Sequence, residues 1–273
     1  MRWLFPALLF SGLACGGGGS AIGPRVADGV LDLREHDWNG APLLVAGNWE
    51  FYWNQLLEPG TPAAPQSRAR LKVPALWESQ QAGPRQVRNR GYGTYRLRLL
   101  NHPDSPSLTL YMPPASSAYQ LWVDGELLAR SGAVARNDRE ETPRFQPRLI
   151  VLPPGSTDRT LLLQVSNFHN IRGGLRHAPR IGPTDVIHER HARQIGIELF
   201  QVGALTLFGL NFLILYAFRR DDRSLLFFGL FCLLMALRAS IVGERFLLQL
   251  IPLSGFFVLI IHNLTYYLVT SAF

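Results

Sequence analysis

Aromatic side chains beside a polar loop are the first candidates for ligand chemistry in this sequence. Trp77 and Tyr92 flank the segment from Glu78 to Arg90, which is predicted to form a loop. Sugar rings meet aromatic planes in concave sites that also supply hydrogen-bonding groups, so both side chains are candidate ligand contacts. Tyr95 and Trp122 lie inside predicted strands and are expected in the core, because strand alternation turns them toward a packed face.

The segment SNFHNIRGG is the second candidate, and it follows a predicted strand that ends at Val165. It places Asn167, His169 and Arg172 in one glycine-terminated loop. Arg172 and Arg144 are able to hold a carboxylate or sulfate through paired guanidinium hydrogen bonds. In the alternative interpretation, Asn167 bonds local backbone groups and braces the last strand, as short polar side chains commonly do. The sequence leaves both interpretations open.

Metal and cofactor sites are not predicted. The histidines lack ligand spacing and the acidic residues lack an EF-hand pattern; the residues concerned are His169, His177, His188, His191, Asp138, Glu140 and Glu141. Gly91 and Gly93 do not form a nucleotide loop, because no third glycine or phosphate-binding lysine follows and Lys72 is the only lysine. We therefore expect neither a metal nor a cofactor.

No catalytic residue is predicted either. Hydrolysis by a carboxylate pair requires two neighbouring acids, but Asp124 lies in a predicted turn and Glu50 in an early strand, and nothing in the sequence brings two acids together. The chain is therefore expected not to be an enzyme. Its basic charge is almost entirely arginine, interleaved with proline and acids. This favours anionic glycans or lipid headgroups as partners and not nucleic acid.

The elements that must hold these side chains are short strands. Between Asp28 and Gly182, alternating runs are separated by turn residues, and the Asp124-Gly125 pair is typical of a tight hairpin. The runs are Tyr95–Leu99, Leu108–Met112, Tyr119–Val123, Glu126–Ala129, Leu149–Leu152 and Thr160–Val165. Pro59 to Pro74 and Arg136 to Arg148 are predicted loops. The pattern predicts an all-β sandwich over residues 28–182.

The second part of the chain has the composition of membrane spans. Up to Gln194 the sequence carries 22 basic and 16 acidic side chains, whereas the last 79 residues carry five and four. Apolar stretches at 195–218, 225–242 and 253–273 are predicted transmembrane helices, since about 20 residues cross a bilayer. Residues 183–194 are a predicted linker, and the loop RRDDR is expected to be cytoplasmic. Two core helices of a soluble protein are the alternative, which fits poorly with so few charges.

Two ionisable side chains inside the predicted spans match in depth. Glu198 lies three residues inside the outer end of the first span, and Arg238 lies four residues inside the outer end of the second. Because an unpaired charge at this depth costs a few kcal/mol, an ion pair between the helices is one interpretation. Separate extension of both side chains to the membrane surface is the other.

The amino-terminal residues indicate export. Residues 1–14 combine one arginine, an apolar run and small residues, which is the layout of a signal peptide. Cys15, followed by GGGGS, is a candidate for lipidation, with ordinary cleavage after Ala14 as the alternative. Residues 15–27 are predicted to be a flexible tether. Export places the front domain in the periplasm of a multi-pass protein of the bacterial inner membrane.

Five short motifs in order carry a resemblance to a known family. They are GNWEFYW (47–53), VPALW (73–77), GYGTYRLRL (91–99), AYQLWVDGELLARSG (118–132) and QVSNFHNIRGGL (164–175). With the apolar stretches that follow, this order resembles the amino-terminal part of bacterial seven-transmembrane receptors with diverse intracellular signalling modules, roughly from Leu43 to the end. The motifs are also similar to the galactose-binding-like jelly roll at the front of some β-glycosidases, whose catalytic barrel has no counterpart here.

The resemblance implies the input half of a membrane receptor. A periplasmic jelly roll would bind a carbohydrate-like or anionic small molecule and act on a helix bundle in contact with membrane lipid. Four more spans and a cytoplasmic kinase or cyclase module are also implied. The chain ends at Phe273 inside its third predicted span, and three interpretations stay open: a fragment whose continuation carries these parts, an interrupted reading frame, or an orphan input module. A membrane-anchored carbohydrate-binding or adhesion module without signalling is the alternative, and homo-oligomerisation is left open.

Overall fold

A computed structural model describes residues 23–60, 68–83 and 85–241. The predicted signal peptide, the lipidation candidate Cys15 and the predicted span 253–273 lie outside these residues. The described chain forms a mostly β domain followed by two long helices, as the sequence predicts. Its strands are β1 Val30–Leu33, β2 Leu43–Leu44, β3 Gly47–Trp53, β4 Arg68–Val73, β5 Ala75–Leu76, β6 Gln81–Ala82, β7 Arg85–Gln86, β8 Gly91–Asn101, β9 Leu108–Met112, β10 Ala118–Val123, β11 Glu126–Ser131, β12 Arg148–Val151, β13 Asp158–Asn167, β14 Gly174–Leu175 and β15 Arg180–Pro183.

Two sheets share one apolar core. The larger sheet has the order β11-β10-β13-β8-β3-β4, with β1 running parallel to the end of β8, and the smaller sheet has the order β12-β9-β15-β2. Period-two alternation buries Tyr95 and Leu97 of β8 while Arg96 remains exposed. Leu110 and Met112 of the smaller sheet belong to the same buried cluster. Each such side chain contributes about 1.5–3 kcal/mol to stability, so this cluster fixes the pairing of the sheets.

The hairpin at Asp124 and Gly125 confirms the turn prediction. Val123 pairs with Glu126 across it. Asp124 has φ 49° and Gly125 has φ 93°, which is the positive-φ pair that a two-residue hairpin turn requires. The Pro59 to Pro74 prediction is partly wrong, because Arg68–Val73 pairs with β3 as strand β4. Alternation of Leu71 and Val73 toward the core outweighs the loop-like composition before them.

Two helices follow the sandwich, α1 from Thr184 to Phe218 and α2 from Arg223 to Ile241. The predicted linker is helical from Thr184 onward, so α1 starts directly after β15. The Thr184 hydroxyl lies 2.9 Å from the Thr109 hydroxyl, Ile187 is buried, and the His191 ring is 6.0 Å from the Tyr111 ring. These contacts attach the first two turns of α1 to the smaller sheet.

The helices pack closely at two glycines. A Cβ added to Gly209 would lie 2.8 Å from Leu233 and 3.1 Å from the carbonyl oxygen of Gly229. By length and composition both helices are able to cross a membrane. In the most apolar stretches of α1 and α2 only 6% and 28% of the residues are buried. Exposed apolar surface of this extent fits contact with lipid, because soluble proteins rarely leave it uncovered.

Candidate functional site

A cleft of about 970 Å³ lies at one end of the larger sheet. Neighbouring antiparallel strands bring three segments together there, since β3 ends at Trp53, β8 begins at Gly91 and β13 ends at Asn167. The lining consists of arginines, amides, one acid, aromatic side chains, one valine and one glycine: Trp53, Asn54, Glu78, Gln86, Val87, Arg88, Asn89, Arg90, Gly91, Tyr92, Arg136 and Phe168. Polar groups beside aromatic ones are the composition of a small-molecule site.

Gly91 shapes the floor of the cleft. A Cβ at this position would lie 2.6 Å from the indole ring of Trp53, and its φ of 148° is one that side-chain-bearing residues rarely adopt. The glycine therefore lets the Trp53 ring lie against the start of β8. Trp53 in turn meets Trp77 edge to face, with ring centroids 5.2 Å apart. The half-buried Trp53 ring is thus held from below and faces the cleft.

Asn89 fixes the backbone between two arginines of the cleft. Its side-chain amide donates to the Glu78 carboxylate, and its backbone oxygen accepts a 2.7 Å hydrogen bond from the Asn167 amide. Arg88 and Arg90 are exposed on either side, while Val87 is buried. Asn89 thus fixes the backbone between Arg88 and Arg90, both of which line the cleft.

Asn167 acts as a brace, which is the alternative that the sequence left open. The side chain is buried, and its amide also donates to the Asn170 oxygen at 3.0 Å. Its side-chain oxygen accepts from the Asn170 N–H at 3.2 Å. With both ends of the amide engaged, Asn167 ties the SNFHNIRGG segment to the 87–90 segment and does not line the cleft.

Glu141 is a buried hydrogen-bonding centre that sequence reasoning missed. Its side chain is fully buried. The carboxylate accepts from the Ser117 hydroxyl at 2.9 Å, the Ser166 hydroxyl at 2.6 Å and the Phe168 N–H at 2.8 Å. His169 places Nδ1 2.8 Å from the same carboxylate. Four hydrogen-bonding partners satisfy the buried carboxylate, so the loop 132–147 between β11 and β12 is fixed to the end of β13 next to the cleft.

Trp77 is a core residue, and its prediction as a ligand contact is wrong. The side chain is 0% exposed. The residue is the first of a short 3-10 helix, Trp77–Ser79. Its indole N–H donates a 2.7 Å hydrogen bond to the Tyr95 hydroxyl. Burial raises the pKa of Tyr95 well above its usual value. Sequence patterning placed Trp77 beside a loop, but packing against Phe51 and Trp53 draws it inside.

The remaining predicted site residues divide between the cleft and its surroundings. Tyr92, which the sequence offers as a candidate ligand contact, lines the cleft. Arg144 and Arg172 are exposed and lie outside the lining, and His169 is engaged with Glu141. A role for the two arginines in anion binding stays a prediction. Within residues 23–60, 68–83 and 85–241 no group of three His, Cys, Asp or Glu side chains is arranged to hold a metal ion.

Glu198 and Arg238 lie at matching levels of the helix pair. Gly209 of α1 packs against Gly229 of α2. Glu198 lies eleven residues before Gly209, and Ser240 lies eleven residues after Gly229, so these two residues are at a similar height along the antiparallel helices. Arg238 is two residues, or about 3 Å, from that height. Glu198 is buried and Arg238 is half-buried. The ion pair itself stays a prediction: reversal of both charges should restore the stability that either single reversal removes.

Comparison with solved structures finds partial similarity to glycosidases. A β-glucuronidase from Faecalibacterium prausnitzii matches with TM-score 0.37 and 20% identity over 49% of this chain and 22% of that chain. A glycosyl hydrolase family 2 member from Bacteroides cellulosilyticus gives 0.40 and 10% over 52% and 20%. A β-galacturonidase from Eisenbergiella tayi gives 0.35 and 17% over 55% and 26%. The matches span about a quarter or less of these enzymes. No protein-family model and no curated protein matches the chain.

Proposed function

We propose that the protein is the ligand-sensing half of a bacterial membrane receptor. Its β domain binds a carbohydrate-like or anionic small molecule in the cleft at the end of the larger sheet, without catalysing a reaction. The observation that carries this proposal is the cleft itself, where exposed Arg88, Arg90 and Arg136 surround half-buried aromatic rings. Such a site combines the charge that attracts an anion with the planes that stack on a sugar ring.

Direct continuity between the sandwich and α1 supports a signalling role. The cleft lies at the Gly91 end of β8, and the Asn101 end is about 33 Å away at 3.3 Å per residue. Ser107, shortly after that far end, accepts a 2.9 Å hydrogen bond from the N–H of Thr184 at the start of α1. A ligand that favours one arrangement of the sheets over another would therefore bias the position of α1.

The sequence resemblance supplies the architecture of the proposal. The β domain is proposed to be a galactose-binding-like jelly roll located in the periplasm. The helices α1 and α2 are proposed to be the first spans of a bundle like that of the seven-transmembrane receptors with diverse intracellular signalling modules. A kinase or cyclase output would act on the cytoplasmic side.

Ligand-dependent thermal stability of the full chain in detergent tests the binding step. A panel of neutral sugars, sugar acids and inorganic anions provides the probes. A ligand at about 100 times its dissociation constant adds about 2.7 kcal/mol to the free energy of unfolding, so a binder raises the unfolding midpoint. Joint replacement of Arg88, Arg90 and Tyr92, which line the cleft, should abolish the shift. Stabilisation that survives cleft substitutions, or no stabilisation by any probe, would contradict the proposal.

A further inference from the structure

We propose that the ligand of the cleft is an acidic saccharide, in which one molecule presents both a sugar ring and a carboxylate or sulfate group. This inference rests on the proposed function and narrows it to one chemical class. It follows from the two kinds of side chain that the cleft brings together, because neither a neutral sugar nor a bare inorganic anion would use both.

The anion-binding half of the cleft consists of Arg88, Arg90 and Arg136. All three are exposed, and in the described part of the chain none of them takes part in an ion pair. Glu78 is the one carboxylate in the lining, and it accepts a hydrogen bond from Asn89. Three guanidinium groups against one carboxylate leave an excess of positive charge, which favours an anionic group with two or three acceptor oxygens.

The placement of these arginines is built into the fold. Asn89 is held by Glu78 and by Asn167, so the backbone that carries Arg88 and Arg90 is fixed at the edge of the cleft. Arg136 belongs to the loop 132–147, which the buried Glu141 fixes to the end of β13 through Ser166 and Phe168. Because the backbone beneath these side chains is already ordered, binding has to order only the side chains themselves. This arrangement is therefore suited to recognising a defined anion.

The ring-binding half of the cleft consists of Trp53, Tyr92 and Phe168, each half-buried. Their partly exposed faces offer apolar planes to a sugar ring. The Asn54 side chain is exposed beside them and supplies an amide that both donates and accepts hydrogen bonds, as ring hydroxyls require. At about 970 Å³ the cleft lies within the usual range for small-ligand sites. It is large for an inorganic anion and has room for more than one sugar ring.

Calorimetric titration of the full chain in detergent tests the ligand class. The probes are glucuronate and galactose 6-sulfate as acidic sugars, glucose and galactose as their neutral counterparts, and inorganic sulfate as the bare anion. We expect both acidic sugars to bind at least tenfold more tightly than the neutral sugars and than sulfate. Their affinity should fall as salt concentration rises, because exposed charges are screened.

Matched variants assign the two halves of the cleft. The double substitution Arg88→Gln and Arg90→Gln should weaken binding of the acidic sugars at least tenfold, while Arg130→Gln, an exposed arginine on β11 outside the lining, should leave it unchanged. Tyr92→Ala should weaken binding severalfold, whereas Tyr92→Phe keeps the ring and should bind nearly as the original chain.

The outcomes separate this inference from the proposed function. Equal affinity for glucose and glucuronate, unaffected by the arginine substitutions but lost in Tyr92→Ala, would overturn the acidic ligand and leave a sugar-binding receptor. Equal affinity for sulfate and glucuronate, unaffected by Tyr92→Ala, would overturn the saccharide and leave an anion-binding receptor. Absence of binding by every probe would overturn both.

Discussion

The indole N–H of Trp77 donates a 2.7 Å hydrogen bond to the hydroxyl of Tyr95 inside the β domain. Both side chains are 0% exposed, so each satisfies a polar group of the other where water is absent. Trp77 also contacts Trp53, whose ring faces the cleft. This hydrogen bond therefore supports the floor of the candidate ligand site from within the core.

Removal of the Tyr95 hydroxyl should destabilise the domain. Tyr95→Phe leaves the buried Trp77 N–H without its acceptor, which costs about 1–3 kcal/mol. Tyr119→Phe is the matched control, because the Tyr119 hydroxyl is buried without a hydrogen-bond partner among the described residues. Thermal unfolding of the full chain in detergent should show a lower midpoint for Tyr95→Phe alone. An equal loss in both variants would mean that the cost comes from removing a buried hydroxyl group and not from breaking the hydrogen bond.

Alkaline pH should weaken the fold through the same tyrosines. Burial raises the pKa of Tyr95 and of Tyr119 above the ordinary value. Below about pH 10, the pKa of an exposed tyrosine, both phenols are protonated in the folded and unfolded chains, and their contribution to stability is fully present. Above that pH the unfolded chain ionises first, so stability is lost as pH rises toward the folded pKa values.

The measurement is the unfolding midpoint as a function of pH. The original chain should lose stability above about pH 10 more steeply than the double variant Tyr95→Phe and Tyr119→Phe, which has no phenol to ionise at these positions. Identical pH profiles for the two proteins would contradict the assignment of the alkaline loss to these side chains.

Loss of the Glu141 carboxylate should be among the most damaging single changes near the cleft. Glu141→Ala leaves four donors without an acceptor, and disruption of such a buried charged network costs roughly 3–5 kcal/mol. Glu141→Gln should be milder, since it keeps one acceptor oxygen and the serine hydroxyls can rotate to accept from its amide. Thermal unfolding should rank the original chain above Gln and Gln above Ala.

The control for the Glu141 variants is a substitution at the neighbouring residue Glu140, which is exposed. Glu140→Ala should change the free energy of unfolding by no more than about 0.5 kcal/mol. If Glu140→Ala were as destabilising as Glu141→Ala, loop composition and not the buried carboxylate would be the cause.

The close approach of α1 and α2 should tolerate no added methyl at Gly209. Its Cβ would press on Leu233 and on the Gly229 carbonyl, so Gly209→Ala should destabilise the helix pair by about 1–3 kcal/mol. At Gly203 an added Cβ meets nothing within 4 Å in the described chain. Gly203→Ala should therefore be neutral or stabilising by about 0.5–1 kcal/mol. Helix unfolding in detergent, followed by circular dichroism, should separate the two variants; equal behaviour would argue against the packing.

Local patterns predicted most of the strands. Leu108–Met112 is a strand over those residues, and the predicted run Thr160–Val165 lies inside β13. Both follow from alternation, which depends on neighbouring residues alone. The turn at Asp124 and Gly125 is also predictable from residue types, because few residues other than glycine, asparagine and aspartate adopt positive φ.

The candidate site is harder to predict from the sequence, because it depends on contacts between residues that are distant in sequence. Glu141 stands beside Glu140 in a charged segment, and nothing local shows that one is buried and the other exposed. Arg88 and Arg90 line the cleft on either side of Asn89, which is held by Asn167, a residue 78 positions later in the chain. The exposure of Trp77 was mispredicted for the same reason, since its partner Tyr95 lies 18 residues away.

The central claim is that a ligand bound in the cleft changes the position of α1 relative to the β domain. With Cys15 and Cys232 replaced, spin labels are attached at position 130 on β11 and at position 219, directly after the end of α1. Pulsed electron paramagnetic resonance in lipid nanodiscs then measures the distance between the two labels. Saturating glucuronate, with binding measured on the same sample, should shift the distance distribution, and the Arg88→Gln and Arg90→Gln double variant should abolish the shift. Full binding with an unchanged distribution would contradict the claim and leave a membrane-anchored binding module.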